Sequence, residues 1–276
     1  MIPVTYISSA GNKYQLHSKN GVVHKKLPYR SWSWKVRGTE LDHGIRVSGF
    51  SRGSAQYKSD LLLFGTKEEQ EKLVDKLHDD FEGDMRKNQT GRIVVNGQYI
   101  ECFVNSVNAR YKDGCTTDTI QIYAPYPYWI QEQEITLPAS VVQASGFLDY
   151  PHDYPYDYTA PVMGKRIVKS SFPFESKFKM VIYGQAVNPR IVVNGYPYVL
   201  YATVPAGAYV VIDSRKKSVM MYNANGTQTD LFNFRNKSQS IFKDIPKGDL
   251  DIAWDSSYGV DLTIFRERSE PKGALA

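Results

Sequence analysis

The sequence predicts a mainly β protein built as two successive domains, residues 1–132 and 133–276, with one α-helix in the first. Three observations carry this. Short alternating runs recur between turn dipeptides, with Asn-Gly or Asp-Gly at 20–21, 96–97, 113–114, 194–195 and 225–226, and such dipeptides are the strongest local hairpin signals. Only the stretch from Thr66 to Glu82 repeats its apolar residues at helical spacing. Between the halves lies Ile122–Leu137, IYAPYPYWIQEQEITL. Pro125 and Pro127 each lack a backbone donor, so no central strand or helix runs through them. Glu134–Leu137 is expected to open the first strand of the second domain, with Trp129 buried against one of the two.

The totals bound the function classes. The chain has 276 residues, of which 42% are hydrophobic and 23% charged, an ordinary globular balance. Tyrosine is abundant at 20 residues. Its ring suits half-buried sheet faces and protein contacts because the hydroxyl can stay wet. A net charge of +5, without a concentrated basic stripe, does not demand a nucleic-acid partner. The N-terminal residues alternate rather than forming an apolar block, and no run reaches the roughly 18 apolar residues of a membrane span. A soluble protein made in the cytoplasm without an export signal is expected.

In chain order, Val4–Ile7 and Lys13–Leu16 read as short strands. Arg30–Arg37 alternates, with Trp32, Trp34 and Val36 on one face, as a half-buried strand does. Gly44–Gly53 reads as a loop and Gln56–Phe64 as a strand. Thr66 and Glu69 fit a capping box at the start of the helix. Leu73, Val74, Leu77 and Phe81 form its apolar face, and Gly83 is placed to stop it. The Asn96-Gly97 turn pairs Arg92 with Glu101 and Ile93 with Ile100, which puts Cys102 in the core with the isoleucines. Asp113-Gly114 pairs Lys112 with Cys115 and sets Cys102 opposite Pro125, too far from Cys115 for a disulfide. Two free thiols follow.

Beyond the Pro-broken stretch, Asp149–Pro161 is dense in Tyr, Pro and Asp and reads as a connecting loop. Phe178–Tyr183 resumes strand character. Arg190–Gly195 repeats the Arg-Ile-Val-Val-Asn-Gly string of residues 92–97. The flanking sequences differ, so two domains have used one hairpin solution. Pro197 falls in a non-bonded pair with Val192, and its missing donor requires a sheet edge there. Tyr209–Asp213 and Ser218–Tyr222 form a hairpin, and Asp249–Trp254 and Val260–Arg266 are the last strands. Short strands at this spacing make a β-sandwich.

Catalytic patterns are weak. Gly49-Phe50-Ser51-Arg52-Gly53 matches Gly-x-Ser-x-Gly, but a strand follows Ser51 where a nucleophile elbow needs a helix. His17, His24, His43, His78 and His152 are scattered without metal spacing, and no glycine-rich phosphate loop follows a strand. No catalytic, cofactor-binding or metal-binding residue is assigned, and no enzyme is expected.

Taken in order, these features resemble the siphophage distal tail protein (Dit), or phage tail-component, family. The Trp/Tyr-rich strand, Gly49–Gly53, Lys58–Phe64, the helix Lys67–Phe81, the Asn96-Gly97 hairpin and the ending Ile122–Ile130 carry the first half of the likeness. Asn188-Pro189-Arg190-Ile191, the hairpin Gly207–Val219 and Ile245–Gly248 carry the second. Two departures stand out: Asp149–Pro161 is local to this sequence, and no long insertion interrupts the second half.

The resemblance implies an N-terminal β-sandwich or barrel-like ring domain with one helix and a long hairpin, then a C-terminal galectin-like β-sandwich. It implies a hexameric hub ring at the distal end of a phage tail, made in the host cytoplasm and carried in the virion. Its expected partners are the major tail tube protein, the tail-associated lysin or tip protein, and receptor-binding or baseplate proteins of host adsorption, with DNA passing through the ring without specific binding. The hairpin around Arg110–Gly114 is the expected ring contact. The alternative is a carbohydrate-binding module for the host cell wall, using exposed aromatics such as Trp254, Tyr196 and Tyr198. A third reading is a hydrolase with Ser51 as nucleophile.

Overall fold

The computed structural model describes residues 4–16, 21–25, 28–112, 114–139 and 163–273. Asp149–Pro161 lies outside them, as do His17, Asn20 and His152. The chain divides into two compact units, Met1–Gln131 with Glu267–Ala276, and Glu132–Arg266.

The first unit contains β1 (Val4–Ile7), β2 (Lys13–Gln15), β3 (Val22–His24), β4 (Lys35–Glu40), β5 (Ile45–Ser51), β6 (Ala55–Leu63), α1 (Lys67–Arg86), β7 (Gly91–Val95), β8 (Gln98–Lys112) and β9 (Cys115–Ala124). Its spine is β8. Gln98–Cys102 pairs with β7, in the register Arg92↔Glu101 and Ile93↔Ile100 set by the Asn-Gly turn. Phe103–Lys112 pairs with β9. From there β7 reaches β1 and β1 reaches β2, while β9 reaches β6 and β6 reaches β3. A register shift between Val104 and Ser106 moves the ladder by one residue. Cys102 therefore does not face Pro125; it pairs with Gly91, and the pairing with β9 starts at Phe103↔Tyr123. Both cysteines are free, and burial pushes the Cys102 thiol up to about 12.

The helix forms behind the predicted capping box: Thr66 Oγ1 accepts from the Glu69 amide and Glu69 Oε2 from the Thr66 amide. It does not stop at Gly83. It runs another turn to Arg86, and Asn88 supplies the left-handed residue (φ 51°) that ends it. The extra turn positions Asp84, which is buried. Its Oδ2 accepts from the Tyr6 hydroxyl at 2.5 Å and its Oδ1 from the Ser9 amide at 2.8 Å, tying the helix to β1. Leu77 and Phe81 are buried against the sheet, with Phe81 edge-on to Tyr6 at 4.9 Å. His78 is held to the buried Asp118 of β9 at 3.1 Å, and this bond raises its pKa.

Strand β10 (Trp129–Leu137) begins before Glu134, because past Pro127 the chain can donate to a ladder again. Trp129 is fully buried in the first unit's core, 5.2 Å from the Tyr29 ring. The second unit continues with β11 (Met163–Val168), β12 (Lys177–Tyr183), β13 (Ala186–Val187), β14 (Arg190–Val193), β15 (Tyr196–Val199), β16 (Thr203–Val204), β17 (Tyr209–Asp213), β18 (Ser218–Tyr222), β19 (Gln228–Asp230) and β20 (Leu250–Asp255). Strand β21 (Val260–Arg268) returns the chain to the first unit. Within the second unit, β19-β18-β17-β12-β21 and β11-β20-β14-β15 run in those orders. Phe178, Met180 and Ile182 from the first sheet and Ile191, Val193 and Ile252 from the second share one core, which makes a sandwich. Strand β15 is an edge and pairs Pro197 with Val192. Among the described residues no helix is long and apolar enough to cross a membrane.

One polar group sits deep in the first unit. His24 Nε2 lies 2.8 Å from both the Tyr29 and the Ser59 hydroxyls, and both can donate only if Nε2 carries no proton. Burial lowers its pKa from 6.5 to about 4. The unfolded chain therefore takes up this proton first, and stability is lost as pH falls from 6.5 toward 4. The loss is about 3 kcal/mol. Urea titrations across this window should show a steeper decline for the parent than for His24→Gln.

Candidate assembly interface

The structure corrects the sequence reading most at residues 30–53. Arg30 ends a short 3-10 turn, and residues 31–34 are irregular. The strand is β4, and Gly44–Gly53 is not a loop but contains its partner β5. The two form a separate two-stranded sheet. Every residue of β4 is exposed, as are all but two of β5. A two-stranded ribbon is marginal in water when nothing covers it.

Its two faces differ chemically. The register pairs Val36 with Phe50, Gly38 with Val47 and Glu40 with Ile45. Directly paired residues share a face, so Val36, Phe50, Val47 and Ile45 form one apolar row. Their exposures are 53%, 63%, 51% and 55%, too high for side chains that have found a core. The opposite row pairs Lys35 with Ser51, Arg37 with Gly49 and Thr39 with Arg46. It carries three cations and no carboxylate. A bulge at Ser48 keeps the faces in phase, with its Oγ donating to the Arg37 carbonyl at 3.1 Å. Gly38 is needed here: a Cβ would lie 2.5 Å from the Ile45 side chain and 2.6 Å from the Arg46 carbonyl oxygen. At the base, Trp34 meets the Tyr128 ring at 6.3 Å, and the Arg52 guanidinium lies 5.2 Å from the centre of the same ring.

The β8–β9 hairpin tip behaves differently. Buried Gln70 donates to the Gly65 and Gly114 carbonyls and accepts from the Thr116 amide, each at 3.0 Å. The tip expected to make the ring contact is thus bound to its own helix, although Tyr111 stays 65% exposed.

Ser51 ends β5 opposite Lys35, and the chain runs on through Arg52–Ser54 into β6. The strand-to-helix turn of a nucleophile elbow is not formed. Among the described residues no group of three or more His, Cys, Asp or Glu could hold a metal.

The carbohydrate reading loses its aromatics. Trp254 is buried, and Gly164 lets β11 approach it, since a Cβ there would sit 2.6 Å from the indole. Tyr198 is buried with its hydroxyl donating to the Lys243 carbonyl at 3.0 Å. Tyr196 is half-buried under the Lys243 ammonium, 4.1 Å from the ring centre. A row of aromatics instead crosses β12, β17 and β18, with Tyr183 and Tyr209 exposed and Tyr222 half-buried. Tyr209 and Tyr222 stack on each other at 5.0 Å, so their ring faces are partly spent on one another.

Scans against known protein families and against curated proteins give no match. Solved structures do. The chain is similar to Dit of phage SPP1, described as a paradigm of hub adsorption apparatus in Gram-positive infecting phages. The TM-score is 0.61 at 10% identity, over 96% of this chain and 99% of that one. It is also similar to chains of the phage p2 baseplate in its activated conformation. With Ca the TM-score is 0.62 at 12% identity, and with Sr it is 0.63 at 11%, each over 98% of this chain and 100% of the other. The fold is therefore that of phage hub and baseplate proteins over 96–98% of the chain.

Gln70→Ala leaves the hairpin tip without its strap. It should cost about 1–3 kcal/mol and speed amide exchange at Thr116 in hydrogen-exchange measurements, while the centre of β9 keeps its protection.

Proposed function

We propose that this protein is a structural hub of a phage tail, assembled from copies of itself into a ring at the distal end of the tail. The observation that carries the reading is the apolar row Val36, Ile45, Val47 and Phe50, exposed on a ribbon that pairs with no other strand among the described residues. Covering such side chains is worth about 1.5–3 kcal/mol each. The same patch repeated around a closing heterologous contact gives a ring. The fold shared with SPP1 Dit and the p2 baseplate supports that context.

In this reading residues 1–132 form the ring and residues 133–276 form a galectin-like sandwich that carries receptor-binding or baseplate proteins. The ring joins the tail tube protein to the tip or lysin protein, six copies to a ring, and DNA passes through it. The role is non-enzymatic and uses no cofactor.

Light scattering on purified chain should give a mass near six times the 31.4 kDa of one copy, with rings visible in negative stain. Val47→Glu with Phe50→Glu should return a folded monomer with the parent's circular-dichroism spectrum, because both side chains are exposed in the single chain. A parent chain that stays monomeric at high concentration would count decisively against the ring.

A further inference from the structure

The ribbon's polar face leads into a cleft that the ring contact does not use. The cleft holds about 450 Å³. One wall is Ser31, Ser33 and Lys35; the other is Arg52, Ser54 and Tyr57. Lys35 belongs both to the cleft and to the row of Arg37 and Arg46 beyond it. The residues lining the cleft include two cations and no carboxylate. Trp32, 52% exposed, stands at its side.

The second wall is a sheet edge. Strand β6 pairs with β9 from Ala55 to Leu63, but β3 covers its other side only at Leu61–Leu63. Among the described residues no strand pairs with that side of Ala55–Tyr57. An unpaired edge offers alternating amides and carbonyls to an incoming strand. Lys35 and Arg37 are two residues apart in β4 and share a face, so they match the period of carboxylates on a neighbouring extended chain.

We propose that this cleft seats an extended, acidic peptide segment of a partner protein. The segment adds main-chain hydrogen bonds to the open edge of β6 at Ala55–Tyr57. Its carboxylates meet Lys35 and Arg37, and the following residues run toward Arg46. Charge complementarity identifies the occupant, since every ionised group of the cleft and of the row beyond it is positive. The assignment does not rest on the ring reading, because it uses the opposite face of the ribbon and can be read on a single copy.

The test uses two labelled, N-acetylated eight-residue peptides, alternating Thr-Glu and alternating Thr-Gln, with a short DNA duplex as a third arm. Fluorescence anisotropy and amide exchange are measured on the full chain. The Thr-Glu peptide should bind and slow exchange at Ala55–Tyr57. Binding should weaken at least tenfold for the Thr-Gln peptide, and as much for Lys35→Glu combined with Arg37→Glu. Circular dichroism would check that this variant folds, and Arg46→Gln provides a milder second variant with a smaller loss. The proposal is overturned if the Thr-Glu peptide fails to bind at millimolar concentration, or if both peptides bind equally. It is also overturned if binding is charge-dependent without slowed exchange at Ala55–Tyr57, which marks unspecific attraction. Displacement of the peptide by the duplex at lower concentration would make the face a nucleic-acid surface instead.

Discussion

The first unit depends on one strand doing two jobs. β8 is 15 residues long, twice or more the length of most strands in the chain. Its first five residues complete the β7 ladder and the rest complete the β9 ladder. Through these two contacts β1, β2, β3 and β6 join the same network, and β10 meets β8 directly at Ile130↔Tyr99. A slip of one residue would turn Ile100, Cys102 and Val104 out of the core together. The Asn96-Gly97 turn opposes it at one end, and the Lys112↔Cys115 pairing beside the left-handed Gly114 at the other. The shift between Val104 and Ser106 lies within the β9 ladder, two pairs from its start, and changes its phase there without touching the β7 ladder. The helix then adds polar ties, Asp84 to β1, His78 to β9 and Gln70 to the hairpin tip, so its position is fixed by directional bonds as well as by apolar area.

Local signals in the sequence recovered what local chemistry decides. The register of Arg92 with Glu101, the capping box, the edge position of Pro197, the hairpin from Tyr209 to Tyr222 and the burial of Trp129 each follow from a turn type, a missing donor or a ring too large to leave wet. The helix end was misjudged because Gly83 permits a stop without forcing one, while Asn88 adopts the left-handed conformation that completes it. Trp254 and Tyr198 looked available for sugars because strand alternation says which residues share a face and not which face is covered.

The assembly ribbon was legible in part. The alternation of Trp32, Trp34 and Val36 implied a half-buried strand, but residues 31–34 are irregular and all three side chains are exposed. It could not reveal that no described residue covers this face, because period-2 patterning is the same whether a face meets its own core, another molecule or water. The glycines at 44, 49 and 53 suggested a loop. In fact Gly44 makes the turn, Gly38 fits the bulge, and Ile45–Ser51 pairs with β4. The buried acceptor Asp84 and the strap Gln70 gave no signal, since each becomes necessary only when distant segments converge.

The return of β21 has a consequence for how the protein is made. Glu267–Gly273 belongs with the first unit, where the Ser269 carbonyl accepts from Arg52, the Lys272 backbone joins Gln98, and Glu270 lies 3.8 Å from Arg30. These residues leave the ribosome only after the whole second unit has been synthesised. Chains emerge from their N-terminus and fold domain by domain, yet this first unit stays incomplete at the base of its own ribbon until the second unit has been made. A nascent or prematurely ended chain thus lacks the ties around Arg52 and Arg30. The returning segment thereby makes the base of the ribbon depend on a stretch of chain that follows the second unit.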